Sequence, residues 1–364
     1  MTLQTRFRTA TAALALASLP GFAAAQEVID ITIGASHPPA VAWVAQITET
    51  FIPEVNRILA EDGNYTVEFN EMYSGTLYKV NETLTAISDG IADVGWVFSL
   101  VEGSRLPLTQ ITGYLPGVTS DPVLLMNVFN DLNETVPAFQ EEWDRQNVVF
   151  LSATSGDGHQ LFTKSPVTSL ADIAGMKISA PGSVGTWMGG TDAIPVDGAA
   201  TTFYTDAATG LTEGANTSLS VANSIKYFEV APHVTMVNLG STFFGGLIVN
   251  KDVWEGLPEE VQQAFREAAR TYSVAVGEDV NGRVEKIKTY LSEEGPSQNP
   301  PITVTEMSAE DRQAWFDGLP NLAQQWVDAN EAQGLPAREV LKAYMEAARA
   351  AGATPVRNWD EEVQ

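Results

Sequence analysis

The sequence predicts an α/β protein of two lobes, each built from a mixed, mainly parallel sheet flanked by helices. Stretches of alternating apolar and polar residues follow one another with segments of helical periodicity between them, which is typical of βαβ units. The chain has 364 residues, of which 44% are hydrophobic, and this is enough for two lobes with a core each. A periodic segment at about 257–292 is longer than one lobe and predicts a helix that spans both.

The composition excludes several classes of function. Acidic residues outnumber basic residues 46 to 20, and the net charge of −26 repels nucleic-acid phosphates, so no nucleic-acid partner is expected. The chain contains no cysteine, which excludes disulfides, thiolate metal sites, a cysteine nucleophile and a lipid-anchored amino terminus. We expect neither a metal nor a cofactor.

Residues 1–25 have the pattern of a cleavable signal peptide. Arg6 and Arg8 form a basic start, Ala10–Leu19 is apolar, and Ala23–Ala25 supplies the small residues before a cleavage site ahead of Gln26. The apolar part is too short to span a bilayer, which needs roughly 20 residues. We therefore expect a soluble, exported protein whose location is the periplasm.

The elements of the first lobe, residues 27–151, follow from periodicity. Strands are predicted at Val28–Gly34, Tyr65–Tyr73, Ile91–Phe98 and Val148–Ser152. Helices are predicted at Trp43–Leu59, with a kink or break at Pro53, at Lys79–Ser88 and at Asn127–Trp143.

The second lobe, predicted at residues 152–243 and about 296–364, contains the segment that we expect to face a ligand. A short helix at Leu170–Ala174 leads to a strand at Met176–Ala180 and then to the turn Pro181–Ser183. Proline cannot donate to a ladder and glycine relaxes the backbone, so the chain turns outward at the carboxyl end of this strand. Ligands of open α/β sheets lie at such ends.

The chain then returns to the first lobe, to which about 244–275 are assigned, and ends in helices. A strand at Gly245–Asn250 precedes the long helix, which Pro258 and two glutamates open. After Gly295–Pro296 we predict a strand at Ile302–Val304 and helices at about Ser308–Gln333 and Pro336–Ala350.

Several segments resemble the DctP family of solute-binding proteins of TRAP transporters. The strongest is Asn250–Gln262, with the pattern Asn-Lys-x-x-Trp-x-x-Leu-Pro-x-x-Val-Gln. Gly175–Pro181, Lys226–Val234 and Gly90–Trp96 also resemble family segments, and the resemblance covers nearly all of the chain after the signal peptide.

The resemblance implies a two-lobed, type II-like periplasmic-binding-protein fold that closes around a small organic solute. The solute would be handed, unaltered, to the membrane permease subunits of a TRAP transporter, and the protein would be no enzyme. We expect a monomer. Two alternatives are a ligand-sensing module for a membrane receptor and a periplasmic enzyme, although the usual catalytic motifs are absent from the sequence.

The identity of the solute is open, because the two arginines that bind anions in the family correspond here to His159 and Ser179. An organic acid is the family default, and it could be held instead by Lys177, His159 or Arg105. A neutral, zwitterionic or cationic solute among aromatic side chains is the other interpretation.

The candidate ligand-binding residues combine loop positions at strand ends with aromatic positions. They are His37, Trp96, Phe98, Asp157, His159, Ser179, Pro181, Ser183, Trp187, Asn216, Thr217 and Phe243. His37 and His159 could equally be structural histidines, Trp96 and Phe98 could belong to the core, and Trp43 is expected in the core of an amphipathic helix.

Overall fold

The computed structural model describes residues 26–364, so the predicted signal peptide at residues 1–25 lies outside the described residues. The strands are β1 (Glu27–Ala35), β2 (Tyr65–Met72), β3 (Val94–Phe98), β4 (Val148–Ser155), β5 (His159–Thr163), β6 (Lys177–Ala180), β7 (Ile194–Asp197), β8 (Gly214–Ser218), β9 (His233–Met236), β10 (Phe243–Asn250) and β11 (Thr303–Glu306). The α-helices are α1 (Ala42–Gln46), α2 (Ile52–Asp62), α3 (Thr83–Ser88), α4 (Ile111–Tyr114), α5 (Pro122–Thr135), α6 (Pro137–Asp144), α7 (Phe203–Thr209), α8 (Leu219–Ser224), α9 (Lys251–Gly256), α10 (Glu259–Glu293), α11 (Ala309–Gly318), α12 (Leu322–Glu331) and α13 (Ala337–Ala350).

Two sheets form the centres of the two lobes, and the predicted α/β class is confirmed. The first sheet has the order β2-β1-β3-β10-β4, and the second has the order β11-β9-β5-β8-β6-β7. Strands β1, β2 and β3 are parallel, whereas β10 is antiparallel to both β3 and β4. Every residue of β10 is buried, as is usual for a central strand that is covered on both faces.

The chain crosses between the lobes in neighbouring segments that are hydrogen-bonded to one another. The amide of His159 donates to the carbonyl of Gly240 at 2.9 Å, and the amide of Leu239 donates to the carbonyl of His159 at 3.1 Å. A third segment joins them through the amide of Ser241 and the carbonyl of Thr119, at 2.7 Å. These bonds place His159, the first residue of β5, at the junction of the lobes.

Helix α10 contacts both lobes, as the sequence predicted. It begins after Pro258, with Glu259 and Glu260 in its first turn, and it runs for 35 residues. Along its length it packs on α2, β4 and α5 of the first lobe and on α8 and β11 of the second.

Prolines divide two segments that the sequence predicted as single helices. Residues 127–143 fall in α5 and α6, which meet at Pro137, and residues 308–333 fall in α11 and α12, which are separated at Pro320. Proline lacks the amide hydrogen and clashes with the preceding turn, so each helix has to start again there. At Pro53 the predicted break is present, as a π-helical turn at Ile47–Phe51 followed by α2 with the proline in its first turn.

The last two helices pack on the first lobe, although the sequence grouped about 296–364 with the second. Helix α13 contacts α5, and α12 contacts α4. The indole of Trp326 donates to the carbonyl of Pro107 at 3.0 Å, and that of Trp359 donates to the carbonyl of Pro116 at 2.9 Å. An amphipathic helix does not encode which sheet it covers, so periodicity could not assign these helices.

Within residues 26–364, no helix combines the length and the apolar character that a membrane crossing requires.

Two glycines of helix α10 make a matched test of its packing. A methyl group on Gly277 would lie 2.6 Å from Cγ2 of Val123 in α5, whereas a methyl group on Gly282 would meet nothing within 4 Å. We expect Gly282→Ala to stabilise the protein by about 1 kcal/mol, because alanine is the better helix former. In Gly277→Ala, overpacking against Val123 should cost about 1–3 kcal/mol. The higher helix propensity of alanine offsets about 1 kcal/mol of this cost, so the substitution should not stabilise the protein.

Chemical denaturation followed by circular dichroism measures both changes. Equal stabilisation by the two substitutions would contradict the close packing of α10 on α5.

Candidate functional site

A small cavity lies between the two lobes, and both lobes contribute its walls. Its empty space, part of which is open to solvent, is about 310 Å³. Its lining residues are His37, Trp43, Phe98 and Phe244 from the first lobe and His159, Pro181, Ala200, Phe203, Thr217 and Val221 from the second. Two larger surface grooves are each lined by a single lobe together with α10. Two others, one beside Ser183 and one beside Asn238, are lined by both lobes together with residues of the carboxyl-terminal segment.

Aromatic rings form the first-lobe wall. Trp96 and Phe98 are two residues apart in β3, so their side chains lie on the same face of the strand, with ring centroids 5.9 Å apart. His37, in the loop after β1, lies edge-on to both rings, at 5.0 Å from Trp96 and 5.7 Å from Phe98. Trp43 stacks on Trp96 at 5.4 Å and meets Phe244 edge-on at 5.1 Å.

The second-lobe wall is built from strand ends and helix starts. His159 begins β5, Phe203 begins α7, and Val221 lies in α8, while Pro181 follows the carboxyl end of β6. The imidazole of His159 is 6.5 Å from the ring of Phe244, so an aromatic contact joins the two lobes beside the cavity.

Several buried polar atoms at or beside the cavity have no hydrogen-bond partner among the described residues. Two belong to lining residues, one from each lobe: Nε1 of Trp43 and Nδ1 of His159. The others nearby are the hydroxyl of Ser179 and both amide atoms of Asn216, which lies next to the His159 ring. A buried donor without an acceptor costs about 1–3 kcal/mol, so these nitrogens are expected to meet a ligand or water.

Among the residues that the structure describes, none that lines the cavity is charged at neutral pH. None of its lining residues is lysine, arginine, aspartate or glutamate. Burial lowers the pKa of His37 to about 4, and it lowers the pKa of His159 to about 4 against a smaller opposing effect of Asn216. Both imidazoles are therefore neutral at pH 7.

The two cationic side chains that were considered as substitutes for the family's arginines do not line the cavity. Arg105 donates to Oε1 of Gln146 and to Oγ1 of Thr85, both at 2.7 Å, and it does not line the cavity. Lys177, at the start of β6, is exposed to solvent. Neither can serve as an anion clamp in this arrangement.

Comparison with protein families identifies the chain. Residues 45–329 match the family model DctP, described as bacterial extracellular solute-binding protein, family 7. This protein belongs to that family. It is an extracytoplasmic solute receptor of the TRAP type and not an enzyme, as the sequence predicted.

Individual relatives agree with this assignment. The chain is 24% identical to the ectoine-binding periplasmic protein TeaA of Halomonas elongata over 317 residues, which are 84% of this chain and 88% of TeaA. It is 26% identical to the C4-dicarboxylate-binding periplasmic protein DctP of Rhodobacter capsulatus over 317 residues, 81% of this chain and 92% of that protein. A TRAP solute-binding protein from Rhodoferax ferrireducens, solved with copurified benzoate, has the same fold, with a TM-score of 0.76, 16% identity and coverage of 89% and 98% of the two chains.

Of the residues predicted for this DctP-family site, five line the cavity: His37, Phe98, His159, Pro181 and Thr217. Four more are buried close behind its walls. Trp96 stacks on Trp43 and donates from Nε1 to Oγ1 of Thr154 at 2.9 Å. Trp187 lies 5.2 Å from the His159 ring, and Ser179 and Asn216 are fully buried in the second sheet.

Three predicted residues lie away from the cavity. Both carboxylate oxygens of Asp157 accept from the start of α8, from the amide of Leu219 at 2.9 Å and that of Ser220 at 3.2 Å. The hydroxyl of Ser183 faces Oε1 of Gln110 in the first lobe, at 3.3 Å. Phe243 stacks in the core on another phenylalanine, at a centroid distance of 4.2 Å. Each of these side chains is committed to the protein's own structure.

Sequence reasoning missed five lining residues: Trp43, Ala200, Phe203, Val221 and Phe244. Phe244 carried a usable signal, because neighbouring residues of a strand point to opposite faces and Phe243 takes the core face. Trp43 lies at the very start of its helix, where the apolar face reaches the edge of the core and meets the cavity.

The buried, neutral His159 predicts a pH effect on stability. Its pKa in the folded protein, about 4, is below the ordinary value of 6.5, so the unfolded chain takes up its proton first as the pH falls. Stability is thus lost between pH 6.5 and 4, by up to about 3 kcal/mol for this residue. In His159→Gln the loss over this range should be smaller by that amount.

Thermal unfolding of the ligand-free proteins across this pH range measures the difference. His233→Gln is the control, since that imidazole is partly exposed and burial lowers its pKa without the full enclosure of His159. Parallel pH profiles for wild type and His159→Gln would contradict a neutral, buried imidazole.

Proposed function

We propose that this protein takes one small organic solute into the cavity between its lobes and delivers it to the membrane permease of a TRAP transporter. The observation that carries the proposal is that both lobes line one cavity and that each supplies a buried nitrogen without a partner, Trp43 Nε1 and His159 Nδ1. A single chain completes these walls, which supports action as a monomer.

Direct contacts between the lobes on either side of the cavity support closure around the solute. On one side, Nε1 of Trp187 donates to the carbonyl of Gly113 in α4 at 2.7 Å. On the other, Nη1 of Arg283 in α10 donates to the carbonyl of Ala40 at 2.6 Å, and the hydroxyl of Ser224 in α8 donates to the same oxygen at 3.4 Å. A solute that fills the cavity favours the conformation in which these bonds form.

The solutes of the relatives differ, so they do not identify the solute of this chain. TeaA binds ectoine, DctP of Rhodobacter capsulatus binds C4-dicarboxylates, and the Rhodoferax protein copurified with benzoate. The common element is a small organic molecule, and that is the class proposed here.

Filling the cavity tests the proposal. A thermal-shift screen of organic acids, amino acids, amines and sugars should yield at least one compound that stabilises the wild type, by about 3 kcal/mol at 100 times its dissociation constant. Ala200→Trp places an indole against the cavity and should abolish this shift. Leu211→Trp is the matched control, since Leu211 is 52% exposed and does not line the cavity.

A shift that persists in Ala200→Trp would place the solute elsewhere. Failure of every compound in the screen would count against solute binding itself.

We propose that residues 1–25 direct the protein to the periplasm and are removed there. After expression in a Gram-negative host, the periplasmic protein should begin at Gln26, either free or cyclised, as intact-mass spectrometry can establish. Ala25→Arg removes the small residue before the cleavage site and should leave the full-length chain in the membrane fraction. A mature chain that retains Met1 would contradict the proposal.

A further inference from the structure

The charge balance of the cavity limits what it can enclose. A buried carboxylate needs an opposite charge or several donors, and no lysine or arginine within residues 26–364 lines this cavity. The two histidines cannot substitute, because burial keeps both imidazoles neutral. A solute with a net negative charge would therefore lose its hydration without gaining an ionic partner.

The walls are suited to a positive group. Trp43, Phe98, Phe203 and Phe244 present aromatic rings from both lobes to one small space. Ring faces attract cations, and alkylated ammonium groups most readily enter such enclosures because they have little hydration to lose. In the part of the chain that the structure describes, no cationic side chain lines the space to repel such a group.

A cation without an acceptor group would leave buried nitrogen atoms at the cavity without hydrogen-bond partners. Nε1 of Trp43 can only donate, and it has no acceptor among the described residues. Nδ1 of His159, on the opposite lobe, likewise has no partner at hydrogen-bond distance, although the side chain of Asn216 lies beside the ring. The buried carboxylate of Asp157, two residues before His159, accepts with both oxygens from amides of α8. The residues that the structure describes at the cavity therefore offer neither an acceptor for Trp43 nor a counter-ion for a cation. The missing oxygen and the missing negative charge must both come with the solute.

We infer that the solute is a compact zwitterion whose alkylated ammonium group lies among the rings of Trp43, Phe98, Phe203 and Phe244 and whose carboxylate accepts from neutral donors, foremost Nε1 of Trp43. The inference rests on the proposed function and names its solute class. It makes aromatic faces and neutral N–H groups, rather than an ion pair, the determinants of specificity.

Three compounds of one shape and different charge test the inference by isothermal titration calorimetry. Glycine betaine is the zwitterion, choline is the cation, and tert-butylacetate (the carboxylate 3,3-dimethylbutanoate) is the anion. Each carries three methyl groups on its terminal nitrogen or carbon atom. We expect the dissociation constant of glycine betaine to be lower than that of choline by about tenfold or more. The dissociation constant of tert-butylacetate should be higher than both.

Substitutions then assign the two halves of the site. Phe98→Leu keeps an apolar side chain but removes the ring, and it should weaken binding of glycine betaine and choline by about tenfold. Phe69→Leu is the matched control, because Phe69 stacks on Phe265 away from the cavity and its loss should leave both affinities unchanged. Trp43→Phe removes the N–H group, so its cost should be larger for glycine betaine than for tetramethylammonium, which has no acceptor.

Binding of tert-butylacetate as tight as that of glycine betaine, or no binding of glycine betaine, overturns the inference. Equal affinity for choline and glycine betaine overturns it as well, since the carboxylate would then contribute nothing. If organic acids stabilise the wild type and Ala200→Trp abolishes the effect, the solute-binding function stands and only the zwitterion is wrong.

Discussion

Helix α10 is the constraint on which the two-lobed arrangement depends. As a single helix of 35 residues it packs on β4 and α5 of one lobe and on α8 and β11 of the other. Backbone hydrogen bonds among the crossing segments hold the lobes at a second place, where His159 bonds to Gly240 and Leu239. The cavity lies between these lobes, so its shape depends on contacts that involve most of the chain.

The cavity is costly for the protein when it is empty. Enclosing two nitrogens without partners sacrifices stability, at about 1–3 kcal/mol for each buried donor. A solute that supplies the missing acceptor recovers this free energy only when the lobes are together, because Trp43 belongs to one lobe and His159 to the other. Binding and closure are in this way coupled by the same unsatisfied groups.

The sequence predicted the features that rest on local chemistry. The start of α10 after Pro258 and its end near residue 292 follow from proline, charge and periodicity, and the outward turn at Pro181 follows from the residues of the turn itself. It could not predict the partners of Asp157, because the amides that this side chain accepts lie 62 and 63 residues further along the chain. It also misassigned Phe243, because alternation along β10 places Phe243 and Phe244 on opposite faces but does not tell which of the two faces the cavity.

A cavity without ionised side chains has a consequence for the medium in which the protein operates. Dissolved ions weaken attraction between separated charges, with a Debye length of about 8 Å at physiological ionic strength and about 3 Å in 1 M salt. Receptors that bind an anion through an arginine lose the long-range part of that attraction at high salt concentration. A surface with a net charge of −26 repels an anionic solute most strongly at low salt concentration. Because recognition uses ring faces and neutral N–H groups, the affinity for the solute should change little with salt concentration.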